Sequence, residues 1–281
     1  MALVDNVFIE MCENILSNGV SSVGENVRPK WEDGSPAHTI KTFGVVNRYD
    51  LRIEFPALTL RPLAFKSCVE ELLWIWSKKS NNVNDLGPRI WDAWADDTGS
   101  IGTAYGYQLG KLHKYREGMF DQVDRVLFDL KNDPFSRRIM TNMFVHEDLH
   151  SMGLYPCAYS LTFNVTKASD GNMVLNAILN QRSQDILAAS AWNVAQYAVL
   201  VHMFAQSSGM VAGELVHVVA DAHIYDRHVP AVRELVSRCP LPAAELWIDP
   251  TITNFYEFSV DSFKLIGYQA HEQVKNIPIA V

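Results

Sequence analysis

The spacing of apolar residues predicts two buried helices. Residues 63–79 carry apolar side chains at helical spacing, with Glu71 among them. Residues 192–208 show the same pattern and end at Gly209, a natural helix stop. A carboxylate on an apolar helix face is costly without a partner, so Glu71 is a candidate functional residue.

An alternating pattern between these helices predicts a β-hairpin. Residues 159–165 alternate between large apolar and smaller or polar side chains, and an Asp-Gly turn at positions 170 and 171 precedes a second apolar run. Positions at similar distances from the turn lie side by side, so Cys157 should lie close to residues 182–185. The guanidinium of Arg182 would then favour the thiolate of Cys157, which is the nucleophilic form.

Further arginines could complete a phosphate site with Arg182. Arg137 and Arg138 are adjacent, and Arg28 stands in a polar loop. Guanidinium groups match phosphate oxygens in a bidentate way, so these side chains together could bind a phosphate dianion. Taken singly, each arginine is more often a solvated surface charge, and Cys157 alone is more often a small core residue.

Composition narrows the class of protein. The chain has 281 residues, 48% hydrophobic content and a formal net charge of −8, without an internal repeat or linker-like tract. We expect one domain over residues 1–281. The negative field disfavours nucleic acid and anionic membranes, so an anionic ligand must be small. Four widely spaced cysteines, and an N-terminal segment without a signal-peptide layout, predict a cytoplasmic protein.

A competing motif lies at His146-Glu-Asp-Leu-His, which matches the H-E-x-x-H zinc pattern. A zinc peptidase needs these histidines one turn apart on a helix, but Ser-Met-Gly-Leu-Tyr-Pro follows His150 at once. The flanks also lack an apolar face. A polar loop or short turn is the favoured interpretation, with no metal site.

Several sequence motifs resemble those of one enzyme family. The motifs are Tyr155-Pro-Cys-Ala-Tyr, Gln181-Arg-Ser-Gln-Asp, Trp192-Asn-Val-Ala-Gln-Tyr, Asp221-Ala-His-Ile-Tyr, Glu71-Leu-Leu-Trp, Ile90-Trp-Asp-Ala-Trp, Ala104-Tyr-Gly, Ser136-Arg-Arg and Ile277-Pro-Ile-Ala-Val. Taken together in their order along the chain, they resemble the folate-dependent thymidylate synthases that use a cysteine, and among them the compact branch of Gram-positive bacteria and their phages.

The resemblance implies a fold and a reaction. The fold would be α+β, a single domain whose large mixed β-sheet packs against its copy in a homodimer, with helices on the other face. The reaction would be the reductive methylation of dUMP to dTMP. The co-substrate 5,10-methylenetetrahydrofolate would supply the carbon and the hydride and leave as dihydrofolate, and no metal is implied.

The resemblance also implies residue roles. The catalytic set would be Cys157, Glu71, Tyr105, Asn193 and Arg182. The nucleotide would be bound by Arg28, Arg182, Ser183, Asp185, Asn193, His223 and Tyr225, with Arg137 and Arg138 reaching across from the partner subunit. The folate would contact Trp91, Trp94, Asp185, Ala189 and Val281. Cys157 would add to pyrimidine C6, Asn193 would bind the O4 and N3 edge, and Glu71 would serve the removal of the C5 proton.

The chain departs from the family pattern in places. Ala158 replaces the usual histidine after the nucleophile, and Ala188-Ala-Ser-Ala-Trp replaces Leu-Gly-x-Pro-Phe in what we expect to be a loop near the folate. An alternative function is therefore a pyrimidine nucleotide 5-hydroxymethylase acting on dUMP or dCMP, in which water captures the methylene. Another is a catalytically silent nucleotide-binding or messenger-RNA-binding relative, although such a relative need not keep Cys157 and Glu71.

Overall fold

A computed structural model describes residues 1–275 and 277–280. The α-helices in this part of the chain are Leu3–Asn18 (α1), Phe65–Trp76 (α2), Gly106–Gly110 (α3), Gln122–Asn132 (α4), Ile186–Ser207 (α5) and Val229–Val236 (α6). The strands are Val20–Ser21 (β1), Thr39–Asp50 (β2), His113–Lys114 (β3), Met119–Phe120 (β4), Met140–Asn142 (β5), Ala158–Lys167 (β6), Met173–Asp185 (β7), Val211–Tyr225 (β8), Glu245–Ile248 (β9) and Phe263–Ile266 (β10).

One large sheet organises the fold. Its strands follow the order β1-β2-β8-β7-β6-β5. The β7–β8 pair is parallel and the other neighbouring pairs are antiparallel. A parallel pair needs a crossover, which α5 supplies. The mixed sheet with helices packed against it confirms the predicted α+β class.

The predicted hairpin is confirmed. Strands β6 and β7 pair with Ala158 opposite Gln181, and the turn contains Gly171 with φ of 89°. A positive φ is the conformation that glycine adopts without strain. At the far end of the hairpin, the backbone N–H of Arg182 donates to the carbonyl of Cys157 at 2.9 Å, so the two residues are neighbours as predicted.

The two predicted helices form the core layer beneath the sheet. Helix α2 lies inside the predicted segment 63–79, and it packs against α5, which in turn covers β7 and β8. The predicted start of α5 at Trp192 is wrong, because the helix begins at Ile186. The Asp185 side chain accepts a hydrogen bond from the backbone N–H of Ala188 and caps the helix.

The segment from Ala188 to Trp192 is therefore helical, and the expected loop there is wrong. Three alanines in this segment favour helix more than the glycine and proline usual in the family pattern. Helix α5 is also long and apolar enough to cross a membrane by composition, but 72% of its most apolar window is buried in the protein. A core helix meets the same criterion.

The H-E-x-x-H segment is a short 3₁₀ helix over His146–Ser151, which confirms the predicted short turn. Three residues per turn put positions four apart on different sides of a 3₁₀ helix, so His146 and His150 do not share a face. The acidic side chains of this segment pair instead with Lys111, Glu147 at 3.4 Å and Asp148 at 3.1 Å.

Candidate active site

A cavity of about 390 Å³ opens between the sheet and the helices. Its walls come from α2, the start of β6, the ends of β7 and β8, and α5. The predicted site residues that line it are Arg28, Glu71, Trp91, Trp94, Tyr105, Cys157, Arg182, Ser183, Asp185, Ala189, Asn193, His223 and Tyr225. Residues far apart in sequence thus share one cavity, while their individual roles stay predictions.

Two predicted site residues are not among the described cavity walls, and a third lies outside the described residues. Arg137 and Arg138 are exposed on the segment that follows α4, and the described residues around the cavity do not include them. Val281 lies outside the described residues. Its neighbours Ile279 and Ala280 line the cavity, so the C-terminal segment reaches the site.

Cys157 lies at the base of the cavity beside a guanidinium. Arg182 Nη2 is 3.6 Å from Cys157 Sγ, and the same side chain donates to the carbonyls of Tyr155 and Pro156 at 2.8 and 3.0 Å. Burial raises the pKa of the thiol, and the charges of Arg182 and Arg28 offset part of that effect. The guanidinium of Arg182 thus favours the thiolate as predicted, but desolvation is the larger effect and the pKa is raised in the unliganded protein.

Glu71 is a buried carboxylate with three N–H donors. Only 6% of the residue is exposed. Trp91 Nε1 donates to Oε1 at 2.5 Å, and Gln196 Nε2 and Trp192 Nε1 donate to Oε2 at 2.6 and 2.5 Å. Burial raises the pKa of Glu71 and the three donors work in the opposite direction. A carboxylate with a raised pKa in a cavity is suited to accept and return a proton.

Tyr105 connects this carboxylate region to the nucleophile. Its hydroxyl accepts a hydrogen bond from the backbone N–H of Cys157 at 3.0 Å, and its ring packs edge-on against Trp91. The backbone of Tyr105 has a φ of 42°, which is strained for a residue with a Cβ. The next residue must be glycine, because a Cβ on Gly106 would lie 2.3 Å from the carbonyl oxygen of Ser80.

The Asn193 amide is oriented by a buried chain of hydrogen bonds. Gln181 Nε2 donates to Asn193 Oδ1 at 3.1 Å, and Gln181 Oε1 is 2.8 Å from His217 Nε2. Because the glutamine oxygen accepts, His217 must carry its proton on Nε2. Within the described residues, nothing accepts a hydrogen bond from Asn193 Nδ2, so its hydrogens are available to a carbonyl oxygen in the cavity.

The end of β8 supplies the opposite wall. His223 Nδ1 is 2.7 Å from Asp221 Oδ1, and the ring of His223 packs edge-on against Tyr225. Burial raises the pKa of Tyr225 to about 12, with the nearby charge of Asp185 adding to it. Its hydroxyl therefore stays protonated and can donate to a sugar oxygen.

A buried histidine joins Asp185 on the cavity wall to the C-terminal segment. His228 Nε2 is 2.8 Å from the carbonyl oxygen of Pro278, and its Nδ1 is 3.5 Å from Asp185 Oδ1. Burial works to lower the pKa of His228, but Asp185 and the Pro278 carbonyl outweigh it and the pKa is raised. This histidine thus links residues 277–280 to a predicted folate contact.

Sequence reasoning missed the polar residues that surround the predicted set. These are Gln181, Gln184, Trp192, Gln196, Tyr197, His217, Asp221 and His228. One signal was available: Trp192 and Gln196 are four apart on a helix and therefore share a face. The partner of that face, Glu71, could not be assigned without the packing of α2 on α5.

The site combines a cysteine beside a guanidinium, a buried carboxylate and an arginine-containing cavity on a mixed sheet. This combination defines a thiol-dependent enzyme for an anionic substrate. The thymidylate synthase family model matches residues 6–281, so the chain belongs to the thymidylate synthase family, whose members are methyltransferases. This confirms the resemblance predicted from the sequence motifs.

Individual relatives are similar in sequence to this chain over nearly its whole length. It is 40% identical over 274 residues to thymidylate synthase 1 of Bacillus subtilis strain 168, with 96% of each protein covered, and equally so to the thymidylate synthase of Bacillus phage phi3T. The thymidylate synthase of Clostridium beijerinckii is 39% identical over 280 residues, with 98% of each covered. The solved structure of thermostable thymidylate synthase A from Bacillus subtilis has a TM-score of 0.92, 39% identity and 99% coverage of each chain.

Proposed function

We propose that the protein converts dUMP to dTMP with 5,10-methylenetetrahydrofolate, which leaves as dihydrofolate. The observation that carries this proposal is the shared cavity of Cys157, Asn193 and Glu71. In that cavity a thiol, an amide donor and a carboxylate surround a space of about 390 Å³. Family membership supplies the substrates, and the cavity supplies the groups that the chemistry needs.

Cys157 is the proposed nucleophile. Its thiolate forms a bond to C6 of the pyrimidine, and the electron pair of the C5–C6 double bond moves to C5 and O4. The Asn193 amide, turned toward the cavity by Gln181, would donate to O4 where negative charge builds. The same amide favours uracil over cytosine, because cytosine presents a donor where uracil has O4.

The phosphate is proposed to bind between Arg28, Arg182 and Ser183. All three line the cavity, and Arg182 can contact both the phosphate and the thiol because its guanidinium is 3.6 Å from Sγ. Fixed guanidinium groups suit a dianion through paired hydrogen bonds. His223 and Tyr225 would hold the sugar 3′-hydroxyl at the opposite wall.

The folate is proposed to lie against Trp91, Trp94 and Ala189. The two indoles pack edge-on with centroids 5.6 Å apart and form an apolar wall that would shield the transferred carbon from water. Asp185 would orient the ring system, and Val281 would close over it as residues 279 and 280 line the cavity. Shielding from water favours methylation over hydroxymethylation.

We also infer a homodimer built on the open face of the sheet. Val46 and Ile178 point away from the helix layer and are 55% and 41% exposed. Arg137 and Arg138 are exposed and away from the cavity walls, as the family arrangement with arginines from the partner subunit requires. A shared site would make the dimer necessary for activity.

Subunit mixing tests the shared site. The Cys157→Ala and Arg138→Ala variants should each be nearly inactive alone. A reassembled equal mixture should recover about a quarter of the wild-type sites, because half of the dimers are mixed and each has one intact site. Failure of a stable mixed dimer to gain activity would contradict the shared site.

Product analysis tests the reaction. The protein is incubated with dUMP and methylenetetrahydrofolate, dihydrofolate absorbance is followed, and the nucleotide is identified by mass. Thymidylate with an equal amount of dihydrofolate is expected, and Cys157→Ala should abolish both. A hydroxymethyl nucleotide with tetrahydrofolate would instead assign the hydroxymethylase reaction, and no product that depends on Cys157 would contradict both functions.

The whole length, residues 1–281, is proposed as one catalytic domain in the cytoplasm. The family match over residues 6–281 supports one domain. Cys12, Cys68, Cys157 and Cys239 are free thiols, as suits a reducing compartment.

A further inference from the structure

The carboxylate of Glu71 receives two hydrogen bonds from a single face of α5. Trp192 and Gln196 are four residues apart on this helix, and both donate to Oε2. Trp91 donates to the other oxygen from a different segment. Both carboxylate oxygens thus have an N–H donor, and the carboxylate cannot rotate without losing at least one of these hydrogen bonds.

Trp192 and Trp91 differ in what else they can touch. Trp91 is among the described residues that line the cavity, and Trp192 is not. The contact through which the Trp192 indole N–H can act on the cavity is its hydrogen bond to the Glu71 carboxylate. The indole stands in the sequence where the family pattern has phenylalanine, which has no N–H, and Ala158 nearby lacks the polar group of the usual histidine.

We propose that Trp192 is a positioning residue whose indole N–H holds the Glu71 carboxylate, charged and aimed at the cavity, for removal of the C5 proton. This rests on the proposed thymidylate-forming function. Trp192 stabilises the anion of Glu71 with a charge-assisted bond that a phenylalanine could not make.

The step that Glu71 serves is a proton transfer. After C5 has bonded to the one-carbon unit, the C5–H bond breaks and the proton passes to the Glu71 carboxylate, directly or through water. The electron pair of that bond forms a double bond from C5 to the new carbon, and the pair of the carbon–nitrogen bond leaves on the folate nitrogen. A poorly aimed or protonated Glu71 slows this step without weakening nucleotide binding.

Trp192→Phe is the test variant, because it removes the N–H and keeps an aromatic ring. Losing a donor to the anion makes Glu71 easier to protonate, so the acidic limb of the kcat–pH profile should move to higher pH. At neutral pH kcat should fall about tenfold or more, the range for a charge-assisted hydrogen bond. The KM for dUMP should stay within about twofold, because Trp192 does not line the cavity.

Trp74→Phe is the matched control. Trp74 is fully buried on the same helix as Glu71, and its indole donates to the carbonyl of Asn82 at 2.9 Å. This variant should lose stability while its acidic limb coincides with that of the wild type. Glu71→Gln should remove the limb together with most of the activity, which assigns the limb to Glu71.

The outcomes are distinct. An acidic limb that moves in Trp192→Phe and not in Trp74→Phe supports the proposal. An unmoved limb in Trp192→Phe, with or without a fall in kcat, overturns it and leaves Trp192 a packing residue. If the wild type forms no thymidylate, the proposed function itself fails, and that result is seen before any variant is measured.

Discussion

At the scale of single residues, opposing effects set the state of the nucleophile. Burial raises the pKa of the Cys157 thiol, while Arg182 at 3.6 Å favours the thiolate. The unliganded protein thus holds a largely protonated thiol, and the arginine determines how much thiolate exists at neutral pH.

Replacing Arg182 should therefore slow the chemistry of the free thiol. In Arg182→Gln the lost guanidinium raises the pKa of Cys157 further, so its alkylation by iodoacetamide at pH 7 should fall at least severalfold. The rate should recover as the pH rises. Arg52→Gln, at an exposed ion pair with Asp50, is the control and should react like the wild type. Equal rates in both variants would contradict the role of Arg182.

At the scale of elements, a buried indole helps to anchor the loop that carries Arg28, together with the bonds from Arg227 to Asp33 and Ser35 at 2.7 and 2.9 Å. Trp31 is 3% exposed, and its Nε1 donates to Asp226 Oδ1 at 3.1 Å. Its ring packs edge-on against Tyr225 and lies under the guanidinium of Arg227 at 5.0 Å. The loop is thereby fixed to the segment that follows β8, and Arg28 is held at the cavity.

Trp31→Phe tests this anchor. The variant loses the hydrogen bond to Asp226 and part of the contact with Arg227, so Arg28 should be less well positioned for phosphate. We expect the KM for dUMP to rise severalfold with kcat within about twofold. Trp247→Phe, at a partly exposed surface site, should leave both constants unchanged. A fall in kcat at constant KM would contradict the anchoring role.

The same elements show how far local sequence determines structure. The hairpin and α2 could be predicted because alternation, an Asp-Gly turn and helical spacing are local signals. The start of α5 could not be predicted, because the family pattern suggested a loop where the Asp185 side chain accepts a hydrogen bond from Ala188 and caps the helix. Most of the residues that the motifs indicated line one cavity, whereas the anchoring of Arg28 through Trp31 depends on long-range contacts that no motif indicates.

At the scale of the whole molecule, a buried histidine links stability to pH. His217 is 0% exposed, and burial lowers its pKa from 6.5 to about 4. In the unfolded chain His217 binds a proton below pH 6.5, whereas in the folded protein it binds one only below about pH 4. Its contribution to stability is therefore fully present above pH 6.5, and on the order of 3 kcal/mol is lost as the pH falls through that window.

His217→Gln should remove the part of this dependence that His217 contributes, while His202, whose pKa burial also lowers to about 4, keeps its own part. A glutamine can donate to Gln181 as His217 Nε2 does, but it does not titrate. The free energy of unfolding in urea should therefore fall less between pH 6.5 and pH 4.5 in the variant than in the wild type. Parallel losses in the two proteins would show that other groups carry the acid sensitivity.

The whole molecule also sets the limit of prediction from one sequence. The proposed role of Arg137 and Arg138, which lie away from the described cavity walls, requires a second copy that brings its own pair, and a single chain gives no local signal for that. The donors around Glu71 depend in the same way on how α2 packs against α5. Motifs indicate which residues belong to the candidate site, while the packing of helices and strands determines which groups position those side chains.

The most direct test of covalent catalysis by Cys157 uses 5-fluoro-dUMP together with methylenetetrahydrofolate. The normal reaction removes the C5 hydrogen as a proton, but a C5 fluorine cannot leave as a cation. The reaction should therefore stop with nucleotide and folate joined to the protein. Mass spectrometry of the digested protein should locate one adduct per active site on Cys157 and none in the Cys157→Ala variant. Complete absence of an adduct, or an adduct on the exposed Cys239 instead, would contradict the account.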